Sequence, residues 1–548
     1  MASYVPAGAL AFVEIDSLSD VVDGLTGTTA WRELAPVLGL SSQLRQVGLV
    51  GDLIGRTGLG PDEAVVAGRA QFAVAITGVE SDTGETEQGP YLHLRPDFAL
   101  IVETHSKPET AARLVRERAS LIAERIFGLP ILKDSEDYSG SEVLAFQGPE
   151  PHRQLVASAV GSVILIANRK DAIKLCLDAI QGRTASLAED QALKQMGPEI
   201  NRGASVFAYV TAAGIQRLTT LWPVFLAGRP STPETSNQFS DLLEHLSKQS
   251  LLGLLYAADF ESGGVREKYL TVLRPLVAEA LSESLKPASA SSVESLPLVP
   301  RTIESITLVK VERAGEMPER VLKQLAPAVD LVAGVALREF VISLRQQYAL
   351  EPTESLGDSV GNEIALVNFG NDQPSAMLIR VNDRSRLIPV VKKYLAQKGA
   401  PVSIEEDFGA DVLVSSDDER NSAAFVAEFL VLGTRDQIHS IIETSSKHDG
   451  IDNQERLGER LAHPYNGSIV SYRRNDDSGK LMLAISKIMR VTDGSNELLE
   501  RDAARKALDR LPPSISFTEF RNYGIYAESH SAVGNFGAIG ALIGGKED

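Results

Sequence analysis

Ser359 lies in the run GDSVG (357–361), which has the G-x-S-x-G spacing of a nucleophile elbow. That motif works because a strand-to-helix turn lifts the serine hydroxyl above a parallel sheet, where a histidine can take its proton. Here the residues that follow, Glu363–Asn368, read as a strand rather than a helix, and the matched stretch Val66–Ala70 has no serine. The favoured reading is a Gly-rich turn entering a strand. A hydrolase using Ser359 and one of the later histidines is the alternative.

The other chemistry-bearing residues are weaker candidates. GALIGGKED (540–548) has the G-x-x-x-x-G-K spacing of a phosphate loop, but Glu547 stands where Ser or Thr would meet magnesium, and no helix can follow. The eight histidines, at 93, 105, 152, 245, 439, 448, 463 and 530, show no i+2 to i+4 pairing of the kind that local zinc sites use. Cys176 is the only cysteine, and it falls on the apolar side of a helical pattern with Ile173 and Ile180, so it reads as a core thiol. Asp137 and Asp407 recur in an E-D-aromatic setting and are read as tight-turn residues accepting backbone N–H bonds, not as paired acids. The acidic loops KHDGIDNQE (447–455) and RRNDDSGK (473–480) lack calcium-loop spacing, and LTTLWPVFLAG (218–228) reads as a buried helix. No catalytic set, cofactor site or metal site is expected.

The elements that would position these residues are legible in part. Ala11–Ile15 is a strand, helical patterns follow to about Gly58, and strands come at Gln71–Thr77 and Phe98–Glu103. Ser106 and Glu109 have capping-box spacing; Val115, Ala119, Ile122 and Ile126 then mark one helical face that Gly128 ends. Glu142–Phe146, Gln154–Val160 and Ser162–Ala167 are strands joined by connections short enough to require antiparallel neighbours. Helices Asp171–Ile180 and about Glu189–Met196 follow, then strands Ser205–Val210 and Leu251–Phe260. The class is α+β, an antiparallel sheet with helices on one face.

The chain also says much of this twice. GSVILIANRKDAIKLCLDAI (161–180) resembles EFLVLGTRDQIHSIIE (428–443), YVPAGALAFVEI (4–15) resembles LVPRTIESITLVKV (298–311), and FESGGV (260–265) resembles FRNYGI (520–525). The offset between the copies falls steadily, from 296 at Ile15 to 265 at Ile173 and 260 at Gly264, where chance matches would scatter. The expected organisation is a first unit at 1–285, a Ser/Ala/Pro-rich linker at 286–300 and a second unit at 301–548. The first copy carries insertions, the largest at Val79–Pro96, expected to be a polar loop or extra hairpin.

Composition limits the partners. A net charge of −19 argues against nucleic acid and anionic lipid, which require basic surfaces. No run of about 18 apolar residues offers a transmembrane helix. The opening MASYVPAGALAFVEI has neither a charged nor an apolar leader region, so the chain is cytoplasmic or its export segment has been removed.

The two copies, the VP…FVEI opening, the GNEIAL strand entry at Gly361–Leu366 and the closing ESHSAVGNF (528–536) resemble the bacterial domain of unknown function 3352. The resemblance spans nearly the whole chain. It implies a signal- or membrane-anchored protein and supplies no catalytic residues. The expected function is therefore a non-enzymatic binding or scaffold protein, placed outside the cytoplasm, with a protein or a small apolar ligand as partner; a carrier of an apolar ligand is a further alternative.

Overall fold

The computed structural model describes residues 1–37, 68–86, 89–128, 131–149, 153–227, 250–288, 293–350, 356–370, 374–396, 401–407, 409–415, 422–453, 467–474, 506–507, 510–532 and 534, with the side chains of 82–93 and 220–227 left aside. The described strands form a single sheet of twenty strands, every pairing antiparallel. This is the α+β class the alternating patterns indicated.

Ten strands come from the first half: β1 (Ala11–Ile15), β2 (Gln71–Thr86), β3 (Gly89–Glu103), β4 (Leu132–Tyr138), β5 (Ser141–Gln147), β6 (Gln154–Val160), β7 (Val163–Ala167), β8 (Val206–Thr211), β9 (Leu251–Glu261) and β10 (Gly264–Leu273). Their spatial order is β4-β5-β6-β7-β3-β2-β1-β8-β9-β10. The second half supplies β11 (Ser305–Lys310), β12 (Val360–Asn368), β13 (Ala376–Val381), β14 (Val402–Asp407), β15 (Ala410–Ser415), β16 (Ser422–Val426), β17 (Phe429–Gly433), β18 (Ile469–Arg473), β19 (Ser514–Arg521) and β20 (Gly524–Ser531). Their order, β14-β15-β16-β17-β13-β12-β11-β18-β19-β20, is the same. The halves join edge to edge through β10 and β20, with Lys268 opposite Glu528 at the middle of the seam.

Registers match as well as orders. Tyr209 on β8 stands between Phe12 and Leu255, and Tyr472 on β18 stands between Ile306 and Ile515. The helices after β7 and β17 bury the same positions at a constant offset of 265: Ala172, Ile173, Cys176, Leu177 and Ala179 in one, Gln437, Ile438, Ile441, Ile442 and Thr444 in the other. Only the second is capped by its own side chains. Thr434 accepts from the Gln437 N–H, and Gln437 accepts from the Thr434 N–H. Arg169 holds the equivalent place in the first and makes no side-chain cap.

The helices are α1 (Leu18–Gly27), α2 (Thr29–Val37), α3 (Pro108–Phe127), α4 (Lys170–Ile180), α5 (Gln191–Ile200), α6 (Ala212–Ala227), α7 (Pro275–Ser284), α8 (Met317–Leu325), α9 (Leu331–Gln347), α10 (Arg384–Leu395) and α11 (Arg435–Lys447). They cover both faces of the sheet, not the one face expected. The reason is in β5: Val143 and Ala145 pack with α4, while their alternates Leu144 and Phe146 pack with α3. Likewise Val412 and Val414 pack with α11, and Leu413 with α10. A strand apolar on both sides demands two covering layers. Among the described residues, no helix is long and apolar enough to cross a membrane.

Two local expectations change and a third is narrowed. The Ser106–Glu109 capping box does not form: α3 begins after Lys107 with Pro108 at its first position, and Ser106 Oγ instead bonds Thr104 Oγ1 at 2.7 Å. The insertion at 79–96 takes the hairpin alternative of the expectation, extending β2–β3. Leu296, Leu298 and Val299, at the end of the 286–300 stretch, are buried in the second half's core. The outer strands are guarded by charge. On β4, Asp134 and Glu136 meet Lys170 and Lys174 of α4 at 2.6 and 2.9 Å. On β14, Glu405 and Asp407 meet Arg435 and His439 of α11 at 2.5 and 2.8 Å. Charged edge strands oppose edge-to-edge association.

Candidate functional site

A groove with a cavity volume of about 580 Å³ opens where the segment before β11 crosses the second half. Three chain segments make it: the 3-10 turn Leu296–Leu298, the β16–β17 turn at Ala427–Glu428, and the end of α11 with the turn that follows. The apolar contributions are Pro297, Leu298, Ala427 and Phe429, with Glu294, Glu428, Asp452, Ser445 and His448 around them. A volume of this size lies in the small-molecule range.

Backbone conformation shapes the opening. Ala427 and His448 both adopt left-handed φ, 49° and 54°, turning the chain sharply at two sides of the groove. Gly450 lies against the third side, where a Cβ would come within 2.5 Å of the Pro297 carbonyl and 2.6 Å of Asp452 Oδ1. Asp452 Oδ1 is shielded from solvent and, among the described residues, has no hydrogen-bond partner.

The first half differs from the second at the equivalent place. Pro6 bridges to Ser186 there as Pro300 bridges to Gly450 here, so Tyr4 corresponds to Leu298 and Ala188 to Asp452. Tyr4 sends its hydroxyl to Glu103 Oε2 at 3.0 Å. Glu103 pairs across from Val163 as Arg380 pairs across from Phe429, so Glu103 and Arg380 are also equivalent. In the second half the ring is gone, and Arg380 instead binds Glu294 and, at 3.0 Å, Glu428 on the groove rim. Gly361 leaves room for the Arg380 stem, since a Cβ there would lie 2.8 Å from its Cγ and Cδ.

A second polar cluster sits on the seam. Glu528 accepts from Arg266 Nε at 2.6 Å and from the Tyr526 hydroxyl at 2.6 Å, with His530 Nε2 3.1 Å away. Burial works to raise the Glu528 carboxyl, but the bonds from His530, Arg266 and Tyr526 outweigh it and bring it down to about 2. Arg521 stacks over the Tyr526 ring at 3.9 Å and pairs with Glu519 and Glu199 at 2.8 Å each. Every one of these groups is engaged within the chain, so the cluster reads as the polar lock of the seam.

No protein-family model, curated protein or solved structure matches the chain.

Of the residues singled out from the sequence, His448 and, from the KHDGIDNQE loop, Asp452 line the groove; the others described lie elsewhere. Ser359 is buried in a 3-10 turn, Gly357–Ser359, that leads directly into β12. Its carbonyl accepts from the N–H groups of Asn382 and Asp383 at 2.9 and 3.2 Å, pinning that turn to the end of β13. The strand–turn–helix of a nucleophile elbow is therefore not present around it. The other described histidines have neighbours elsewhere: His105 with Glu103, His439 with Asp407, and His530 with Glu528 and Glu261. His152, His245, His463 and the GALIGGKED segment lie outside the described residues, as do RRNDDSGK beyond Arg474 and the side chains of His93 and Trp222.

Cys176 is fully buried among the core residues of the first half, and burial pushes its thiol up to about 12. Asp137 accepts the Gly140 N–H at 3.0 Å, the turn role read from the sequence. Asp407 does not share it. The closing pairs are Tyr138–Ser141 and Asp407–Ala410, so Asp407 corresponds to Tyr138, one residue on, and its carboxylate faces His439. Sequence reading passed over the groove because its lining spans residues 294 to 452 with no regular spacing. One signal was available: the aligned VP segments carry Tyr4 in one copy and Leu298 in the other.

Proposed function

We propose that the chain is a non-enzymatic binding protein, built from an internal duplication, whose ligand occupies the groove between the Leu296–Leu298 turn and the β16–β17 turn. The observation that carries this reading is the 580 Å³ cavity with Leu298 and Phe429 in its wall, at the place where the first half has Tyr4 bonded to Glu103. What supports the duplication is the shared order of ten strands and the matched buried rows around Tyr209 and Tyr472. An apolar body in a concave, partly enclosed site is the ordinary chemistry of small-molecule recognition. Placement outside the cytoplasm rests on the family resemblance; recovery of the native protein with cytoplasmic markers on cell fractionation would overturn it.

The groove is tested with a neutral solvatochromic dye, Nile red, and a groove-filling variant, Ser445→Trp. Ser445 lines the groove from α11 and is only part-buried, so a larger side chain fills space without entering the core. The wild-type protein is expected to bind the dye at one site, and the variant to bind it at least about tenfold more weakly with unchanged thermal unfolding. Equal binding by both proteins would remove the groove from consideration.

A further inference from the structure

We infer that the ligand of this groove is a small phenol: a flat aromatic ring on a short apolar stem, its hydroxyl turned to the Arg380–Glu428 pair. This rests on the reading of the groove as the ligand site and of the halves as copies, and it adds the ligand's class. The first half carries the template. Tyr4 stands there in place of Leu298, and Ile180 in place of Ser445, at the constant offset of 265 between α4 and α11. Both larger side chains pack against the first half's core, and the Tyr4 hydroxyl donates to Glu103 Oε2 at 3.0 Å. Leu298 and Ser445 both line the groove, so the cavity opens where the first half has a phenol ring and an isoleucine side chain.

The walls suit such a ring. Phe429 stands where the first half has Val163, so the groove gains an aromatic surface that an inserted ring can meet edge to face or offset. At the position of Glu103 the second half has Arg380, which donates to Glu428 Oε2 at 3.0 Å, and Glu428 lines the groove. A carboxylate has several acceptor sites, so Glu428 can hold Arg380 and take a phenolic O–H as well. A hydrocarbon ligand would cover that rim carboxylate without bonding it. An anion would meet Glu294 and Glu428, with Arg380 already engaged by both. A phenol is neutral and donates to a carboxylate, as Tyr4 does in the first half.

The test uses the full chain and three probes of similar size, 4-butylphenol, butylbenzene and 4-butylcyclohexanol, each competing with Nile red. In wild type the phenol is expected to bind about tenfold more tightly than butylbenzene, as one hydrogen bond to a charged acceptor allows. It should bind about threefold more tightly than the cyclohexanol, which keeps the hydroxyl but lacks the aromatic ring. Glu428→Ala should remove the phenol's advantage over butylbenzene. Leu298→Tyr installs the first half's residue and should weaken the phenol at least about tenfold by placing its own ring in the groove. Ser445→Ile, at a part-buried position, should act in the same direction and decides the matter should Leu298→Tyr fail to fold. Phenol binding untouched by both replacements would overturn the template. Phenol and butylbenzene binding alike in wild type, with both lost in Ser445→Trp, would overturn the phenol and leave the groove standing. N-acetyltyrosinamide bound at least about tenfold more tightly than 4-butylphenol would assign the site to a peptide tyrosine and overturn the small-molecule ligand. Displacement by none of the probes, with Ser445→Trp still binding dye, would overturn the groove as well.

Discussion

Gly264 and Gly524 begin the two strands that meet at the seam, and each lies against a backbone carbonyl of the strand that the other begins. A Cβ on Gly264 would sit 2.1 Å from the Ser531 carbonyl oxygen, and one on Gly524 would sit 2.0 Å from that of Thr271. Their φ angles, 149° and 155°, belong to a region that side-chain-bearing residues rarely enter. The two glycines hold matching places at opposite ends of β10–β20, as a two-fold relation between the halves requires.

Replacing either glycine with alanine combines backbone strain with a clash against main chain that cannot rotate away. Each single variant is expected to lose at least about 2 kcal/mol in urea unfolding. Gly263→Ala is the control, because nothing lies within 4 Å of its Cβ position. If all three variants unfold alike, the seam does not depend on this close approach.

Glu528 gives the seam an acid limb. Its folded carboxyl is held down at about 2 against an ordinary 4.5, despite burial, by His530, Arg266 and Tyr526. A depressed carboxylate stabilises the fold fully above its unfolded value, and the contribution is lost as pH falls from about 4.5 toward 2. Urea midpoints should therefore decline over that window in wild type. Glu528→Gln should flatten this decline and, by leaving Arg266 without its carboxylate, cost about 1–3 kcal/mol at neutral pH. An unchanged slope in the variant would show that other carboxylates govern acid unfolding.

How much of this was open to reading varies with the range of the interaction. Ile173 and Ile438 are both buried in their helices, and that was legible because burial of a helix face is a local, 3.6-residue pattern. Tyr209 and Tyr472 take equivalent places in β8 and β18, which the strand pairings reveal. Strand order is another matter: β10 and β20 recognise each other through backbone groups, which no side-chain type announces. Asp137 and Asp407 were paired wrongly because a one-residue slip in a turn reverses which side of the strand a carboxylate faces. The second layer of helices was hidden in the alternation of β5, where both Val143 and Leu144 are apolar. The groove depends on a turn, a crossing segment and a helix end, and only the fold brings them together.

Cys176 offers a probe of the first half's core. It is wholly enclosed, and its thiol is pushed up to about 12 by burial, so almost none of it is thiolate at neutral pH. A thiol reagent such as dithiobisnitrobenzoate is expected to leave the folded protein unmodified and to label one site on unfolding in urea. The labelling transition should coincide with loss of circular dichroism. Rapid labelling of the native protein would mean that the α4 layer opens readily or packs more loosely than described.

The last prediction concerns Ser359. An acyl-transfer serine needs a base within hydrogen-bond reach and an oxyanion hole aimed at the reacting carbon. Ser359 sits instead in a buried 3-10 turn running straight into β12, with its carbonyl committed to Asn382 and Asp383. The described histidines have partners at Glu103, Asp407, Ser446, Glu261 and Glu528. A fluorophosphonate probe is accordingly expected to leave the protein unlabelled. Ser359→Ala should change stability by about 1 kcal/mol or less and should not alter dye binding in the groove. Stoichiometric labelling at Ser359, abolished in the Ala variant and accompanied by hydrolysis in an ester screen, would instead make this chain an enzyme and displace the binding function argued for it.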